Sequence, residues 1–415
     1  MMNISKRLFI ALFAIGVIAG IVGISLTWLM HFIQHHAYGY GLVGHNVIPF
    51  RVGVESASPS RRVAALAVCG LVVGWGWYGL KRYGKPLLSI KASLKNPLQG
   101  MPFGATIIHA LLQIVTVGLG SPLGREVAPR EMSSAFASLW VKRFGLNEDE
   151  AKILIACASG AGLAAVYNVP LAGAVFTLET LLCLWTPRAI AVALMTSVLA
   201  TEVARLGLGD LQQYSVPNMH VNNALLWWSL LIGPMLGALA VWFQRTVSLF
   251  PRLKRDDKRI IVVALAAFVI IGLLSIYFPA ILGNGKAGNQ MTFGLMLNGS
   301  GSFSLMVVKW IAVLLALAAG AYGGVITPSM MLGSTFALAC ALGWNHILPT
   351  LSPETAAFIG ASAFLGVSTK MPVTAMIFIL ELSRSSVELL LPLGVCMTGA
   401  VMLGYWLEAR HLASK

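Results

Sequence analysis

Two stretches of the chain decide how it folds: Tyr167-Asn-Val-Pro-Leu-Ala-Gly-Ala-Val-Phe-Thr-Leu-Glu179 and Thr369-Lys-Met-Pro-Val-Thr-Ala-Met-Ile-Phe-Ile-Leu-Glu381. Pro170 and Pro372, Phe176 and Phe378, and Glu179 and Glu381 all match at one offset of 202 residues. Each copy is a Pro that opens a short apolar helix and a Glu nine residues later. A looser pair precedes them, Gly124-Arg-Glu-Val-Ala-Pro129 and Gly323-Gly-Val-Ile-Thr-Pro328, at an offset of 199. Two landmarks in the same order mean an internal repeat, with a boundary placed at the basic link 251–259: a first half over 1–250 and a second over 251–415. Spacing leaves open whether the halves run parallel or inverted.

The surroundings of these stretches place them in a bilayer. Of 415 residues, 57% are apolar and 11% charged, with a mean hydropathy of +0.80; soluble domains carry about 25% charged residues. At roughly 20 apolar residues per crossing, the chain has room for about a dozen spans. The first runs from Leu8 to about Met30, too long for the core of a signal peptide. Others are too short to cross, or are broken by Gly and Pro as at Gly118 to Pro129 and Gly320 to Pro328. Broken helices are tolerated at membrane depth only where protein or a polar cavity surrounds them, and interruptions at matching places in two halves point to a site at the midplane. The expectation is an all-α polytopic membrane protein, one integral domain of tilted and half-spanning helices, that carries a solute.

The formal charge of +14 does not signal nucleic acid. The basic residues gather in short links, such as Lys81, Arg82, Lys85, Lys91 and Lys95, and Arg252, Lys254, Arg255, Lys258 and Arg259. Such links mark the cytoplasmic side, which puts the N-terminus with Lys6 and Arg7 inside. The stretch 31–62, with His31, His35, His36 and His45, then faces outside as a polar link; without Cys or a carboxylate nearby it is a poor metal site. The five cysteines lie in apolar stretches and behave as small hydrophobes. No nucleophile–base pair or metal constellation supports an enzyme, and no cofactor is implied.

Five of the fifteen acidic residues sit in or beside apolar segments: Glu126, Glu131, Glu179, Glu202 and Glu381. Membrane-depth carboxylates suggest ion or proton pathways. For Glu179 and Glu381, whose positions repeat, a shared architectural role such as capping a helix N-terminus competes with a pathway role. Glu126 lies in Gly118-Leu-Gly-Ser-Pro-Leu-Gly-Arg-Glu-Val-Ala-Pro-Arg-Glu-Met132, a Gly/Pro-rich entry to a helix over about Met132 to Val141. Exposed N–H groups and the positive end of a helix dipole make an anion site there. A carboxylate so placed competes with the anion for it and releases it on protonation, which couples anion occupancy to proton binding.

With these motifs on most of its length, in the same order and spacing, the chain resembles the CLC family of chloride channels and proton-coupled anion antiporters. That resemblance implies a homodimer with one anion path per subunit, two inverted halves, and a halide and a proton as the transported partners. It makes Glu126 the gating, proton-accepting glutamate, with Gly124 and Arg125 beside it and the backbone N–H groups of Val325 and Ile326 facing the anion. Several positions depart from the usual pattern. Where chloride transporters have a serine loop, this chain has Gly84-Lys-Pro-Leu-Leu-Ser-Ile90, which leaves Lys85 or Ser89 near the anion; the alternative for Lys85 is a solvated lysine. The second, inner proton glutamate is replaced by Thr180. The nearest candidate for an anion-contacting Tyr is Tyr405, about two turns early. Together with Gly-Arg-Glu-x-Ala-Pro-Arg-Glu, these departures resemble the fluoride/proton antiporter branch. Thr327 adds a hydroxyl suited to a small, strongly hydrated anion, or else caps a helix. The expected activity is fluoride export against protons at the inner membrane; a chloride/proton antiporter or a passive chloride channel is the alternative.

Overall fold

The computed structural model describes residues 5–413 apart from 41, 44–45, 211, 218 and 251–256. His45, Arg252, Lys254 and Arg255 therefore lie outside the described residues. The first half comprises α1 (Lys6–Tyr38), α2 (Phe50–Ser56), α3 (Pro59–Tyr83), α4 (Ile90–Lys95), α5 (Phe103–Gly118), α6 (Val127–Phe144), α7 (Glu148–Tyr167), α8 (Pro170–Phe176) and α9 (Pro187–Leu208). Then follow α10 (Asn223–Leu249), α11 (Arg259–Tyr277), α12 (Lys286–Phe293), α13 (Gly299–Ala318), α14 (Ile326–Trp344), α15 (Pro353–Thr369), α16 (Pro372–Ser383) and α17 (Leu390–Ala413). Among the described residues, nine helices are long and apolar enough to cross a membrane. Among the described residues, a two-residue antiparallel ladder, Leu42–Val43 with Asn46–Val47, is the one strand pairing besides a single bridge between Gly124 and Gly324.

Local chemistry sets the helix limits. Ser5 starts α1 by accepting from the Leu8 N–H, and Gly39, at φ 74°, ends it in the left-handed region that favours glycine. The first span therefore continues past Met30 and takes His31, His35 and His36 into the helix rather than leaving them in a link. Asn147 and Glu150 form a capping box at the start of α7. At the other end of α7, Asn168 is left-handed and Pro170 opens α8; Lys370 and Pro372 do the same between α15 and α16. Pro cannot continue the preceding helix, so both breaks sit where the repeated motif puts them. In the first half a π-helical turn, Thr177–Leu182, prolongs α8.

Packing partners repeat as well. α1 lies on α9 and α10 on α17, α5 on α6 and α13 on α14, α6 on α7 and α14 on α15, while α3 and α11 join the halves. The expected boundary at 250/251 separates α10 from the helices it pairs with. The most enclosed helices are α7 and α15, buried along nearly their whole length and rich in Ala, Gly and Ser, which lets backbones approach closely in lipid. At Gly333 of α14 an added Cβ would meet the Gly360 carbonyl of α15.

Direction follows from two carboxylates. Glu179, at the end of the α8 segment, accepts from the Val373 and Thr374 N–H groups at the start of α16, at 3.0 and 2.7 Å. Glu381, near the end of α16, accepts from Leu171 and Ala172 at the start of α8, at 2.9 and 2.7 Å. Each helix end meets the other's beginning, so α8 and α16 are antiparallel. Matching helices of the two halves point in opposite directions: the repeat is inverted.

Candidate functional site

The two Gly-rich breaks meet in the middle of the molecule. Gly124 N–H donates to Gly324 O at 2.6 Å, and Gly324 N–H donates back to Gly124 O at 2.9 Å. An added Cβ on either glycine would run into the Glu126 carboxylate, so only glycine leaves it room. Glu126 precedes α6, whose first turn holds Pro129 without loss of a hydrogen bond; the helix begins at Val127, one turn earlier than its apolar run suggests.

The Glu126 side chain is fully buried. One of its oxygens accepts from the Ile326 N–H at 2.7 Å, at the start of α14 in the other half. Tyr167 O–H donates to the second oxygen at 3.3 Å. The Tyr167 and Thr327 hydroxyls are 2.9 Å apart. Because the phenol has one proton and gives it to Glu126, the Thr327 hydroxyl donates to Tyr167. Thr327 thus lies inside the first turn of α14, and Val325 occupies the cap position. A carboxylate seated on a helix N-terminus holds the position that an anion would take.

Below Glu126 opens a cavity of ≈ 260 Å³ lined by Lys91, Arg130, Thr180, Met371 and the Gly323–Ile326 segment. Arg130 lies 4.3 Å over the Phe176 ring, and its Nε donates to Ser159 at 3.3 Å. With Lys91 it gives the wall a positive character. Thr180 lines this wall and donates to the Phe176 carbonyl at 2.7 Å.

Gly124, Glu126, Val325, Ile326, Thr327 and Thr180 come together here. Arg125 does not line the cavity; its guanidinium is 5.1 Å over the Tyr167 ring and donates to Val166 O at 3.3 Å. Lys85 is exposed in the link before α4. Ser89 caps α4 by accepting from the Ala92 N–H at 3.2 Å. Tyr405 is 57% exposed and lies on α17 beside Lys370 and Glu408, remote from Glu126. Glu202 pairs with Arg205 on its own helix. Of the cysteines, Cys69, Cys157 and Cys396 are buried, Cys340 is half-buried and Cys183 is exposed. Sequence reasoning did not single out Tyr167, Arg130 or Lys91. Each stood in a quoted motif or link, but no local signal ties Tyr167 to a carboxylate 41 residues earlier.

Inverted halves whose broken helices meet at a buried site define a polytopic membrane protein of the transporter and channel class. The family model described as "Voltage gated chloride channel" matches residues 69–405, and the chain belongs to that family. It is 25% identical to the H(+)/Cl(-) exchange transporter ClcA of Vibrio campbellii, over 97% of this chain and 87% of that protein. It is 31% identical to the voltage-gated ClC-type chloride channel ClcB of Citrobacter koseri, over 79% of this chain and 80% of that one. In fold it is similar to a slow cyanobacterial Cl-/H+ antiporter, with TM-score 0.82 and 21% identity over 98% and 96% of the two chains. A CLC-type fluoride/proton antiporter gives TM-score 0.68 and 19% identity over 96% and 95%.

Proposed function

We propose that this protein exchanges a halide for protons across the bilayer. The observation that carries this reading is the Glu126 carboxylate on the Ile326 N–H, at the head of a cavity with basic walls. Ionised, Glu126 fills the anion position; protonated, it gives up charge and leaves. The ionised carboxylate and the anion then exclude each other at one set of donors, so proton binding opens the site to the anion. The basic mouth by α4 faces the cytoplasm, with the N-terminus on the same side, and the protein works as a homodimer in the inner membrane.

Two halides fit. Fluoride is favoured by the Tyr167 hydroxyl, which donates at the Glu126 position and is strengthened by the hydrogen bond it accepts from Thr327, and by Thr180 in place of an inner glutamate. Chloride is favoured by the kinship with ClcA and ClcB. Liposomes holding the purified protein, with fluoride, chloride and pH electrodes read together, separate these. Fluoride efflux well ahead of chloride, with protons moving oppositely, supports the exporter; chloride flux equal to or above fluoride supports a chloride exchanger. Anion flux with no proton signal defeats exchange altogether. In Glu126→Gln, proton movement should vanish; wild-type coupling in that variant removes Glu126 from the role.

A further inference from the structure

Glu131 lies five residues after Glu126 on the same helix, about 7.5 Å further along its axis and about 140° round it. It does not open on the cavity. Its Oε2 accepts from Gln113 Nε2 at 3.0 Å and lies 3.4 Å from His109 Nε2. Its side chain is 14% exposed and that of His109 3%. His109 in turn accepts at Nδ1 from the Trp77 indole N–H at 2.9 Å. An indole N–H only donates, so Nδ1 carries no proton while this bond holds. The imidazole is therefore kept neutral, with its proton on Nε2 toward Glu131, and supplies no counter-charge. The network also leaves Gln113 Oε1 buried without a partner, an acceptor for which a protonated carboxyl is a suitable donor. A carboxylate at this depth with no cation in direct contact marks a functional group.

We propose that Glu131 is a second proton-binding carboxyl of the transport cycle, linked to the Glu126 site through Arg130 and through the His109–Tyr322 contact. The proposal rests on the exchange reading and deepens it. The event is the binding of one proton from water to a Glu131 carboxylate oxygen, and its return to water; no heavy-atom bond changes. Arg130 is within Coulombic reach of both Glu126 and Glu131, so discharge of one carboxylate leaves the guanidinium to favour ionisation of the other. On the other flank, the His109 ring meets Tyr322 edge-on at 4.4 Å, and Tyr322 directly precedes the Gly323–Gly324 backbone that abuts Glu126. The groups facing Glu131 are His109 and Gln113 from α5, with Trp77 of α3 behind His109 and Arg130 on its own helix. Among the described residues, α1 and α7 bring no charged side chain into its range. This places a proton-accepting carboxyl in a chain that has Thr180 where the inner glutamate is otherwise expected.

The test combines infrared difference spectra on a pH step with flux measurements on the reconstituted full chain. Wild type should show two carboxyl bands that titrate; Glu126→Gln should remove one and Glu131→Gln the other. Glu131→Gln should also lower the protons moved per anion at least twofold and flatten the pH profile of anion flux. A merely structural glutamate would leave that ratio and profile unchanged, and such a result, or a surviving second band, overturns the proposal. Should Glu131→Gln fail to fold, Trp77→Phe keeps the carboxyl and frees His109 to protonate. Its Glu131 band should then titrate at lower pH, and an unshifted band also overturns the proposal. Absence of proton movement in wild type would defeat the exchange reading separately, because the spectra read Glu131 without transport.

Discussion

In the exchange proposed above, the Glu126 carboxylate and one transported anion need the same N–H donors, and the surrounding residues make that competition close. Tyr167 and Thr327 add hydroxyls, while Gly124 and Gly324 leave the space that the carboxylate occupies. Gly324→Ala tests the steric half of this arrangement. The new methyl would meet the end of a flexible side chain rather than backbone, so the fold should persist while the carboxylate leaves its seat. The expected outcome is anion leak with reduced proton coupling and a nearly unchanged thermal midpoint, measured in the same liposomes and by unfolding in detergent. Wild-type coupling in Gly324→Ala would mean that the seated carboxylate is not the gate.

Between elements, the reciprocal caps join the halves. Glu179 and Glu381 each satisfy two backbone N–H groups of the opposite short helix and sit at its positive end. Helices α8 and α16 are too short to be stable alone, so their ends depend on this exchange. Replacing either Glu by Gln keeps the shape and removes the charge. Each change should cost about 1–2 kcal/mol, seen as a lower unfolding midpoint, and the two should add because they lie at opposite ends of the helix pair. Proton coupling should survive both. A loss of coupling without loss of stability would revive the pathway role that spacing alone left open.

Across the whole molecule, a polar clasp ties three helix ends at one face. Asp210, in the link after α9, accepts from Asn168 at 2.9 Å and forms ion pairs with Arg205, 3.1 Å away, and with Arg384. Asn168 and Arg384 are the left-handed residues that end α7 and α16. The Asn168 hydrogen bond first, and then the two guanidinium groups, hold the Asp210 carboxyl below its ordinary value. A carboxyl lowered by folding stabilises the folded state above its unfolded value of about 3.9 and loses that contribution as pH falls through the lowered value. Asp210→Asn should therefore unfold earlier than wild type at pH 7, and the gap should close only below about pH 4. A gap independent of pH would mean that the charge of Asp210 does not hold the clasp. The clasp is exposed, so raising salt should narrow the gap at pH 7.

Composition and period determined the bilayer setting, and the Pro-to-Glu motif determined the repeat, because apolar content and Pro placement act through local rules. The Gly-rich break and helix start around Glu126 were also legible, since glycines and a helix start identify themselves in a row of residues. Inversion was not legible: spacing is the same for parallel and inverted copies, and only the crossed caps of Glu179 and Glu381 show direction. The contacts of Tyr167, the place of Thr327 within the first turn of α14, and the enclosure of Glu131 by Trp77, His109 and Gln113 likewise join residues far apart in the chain. The tertiary structure alone decided these, because a hydrogen bond depends on distance in space and a sequence period reports only distance along one helix.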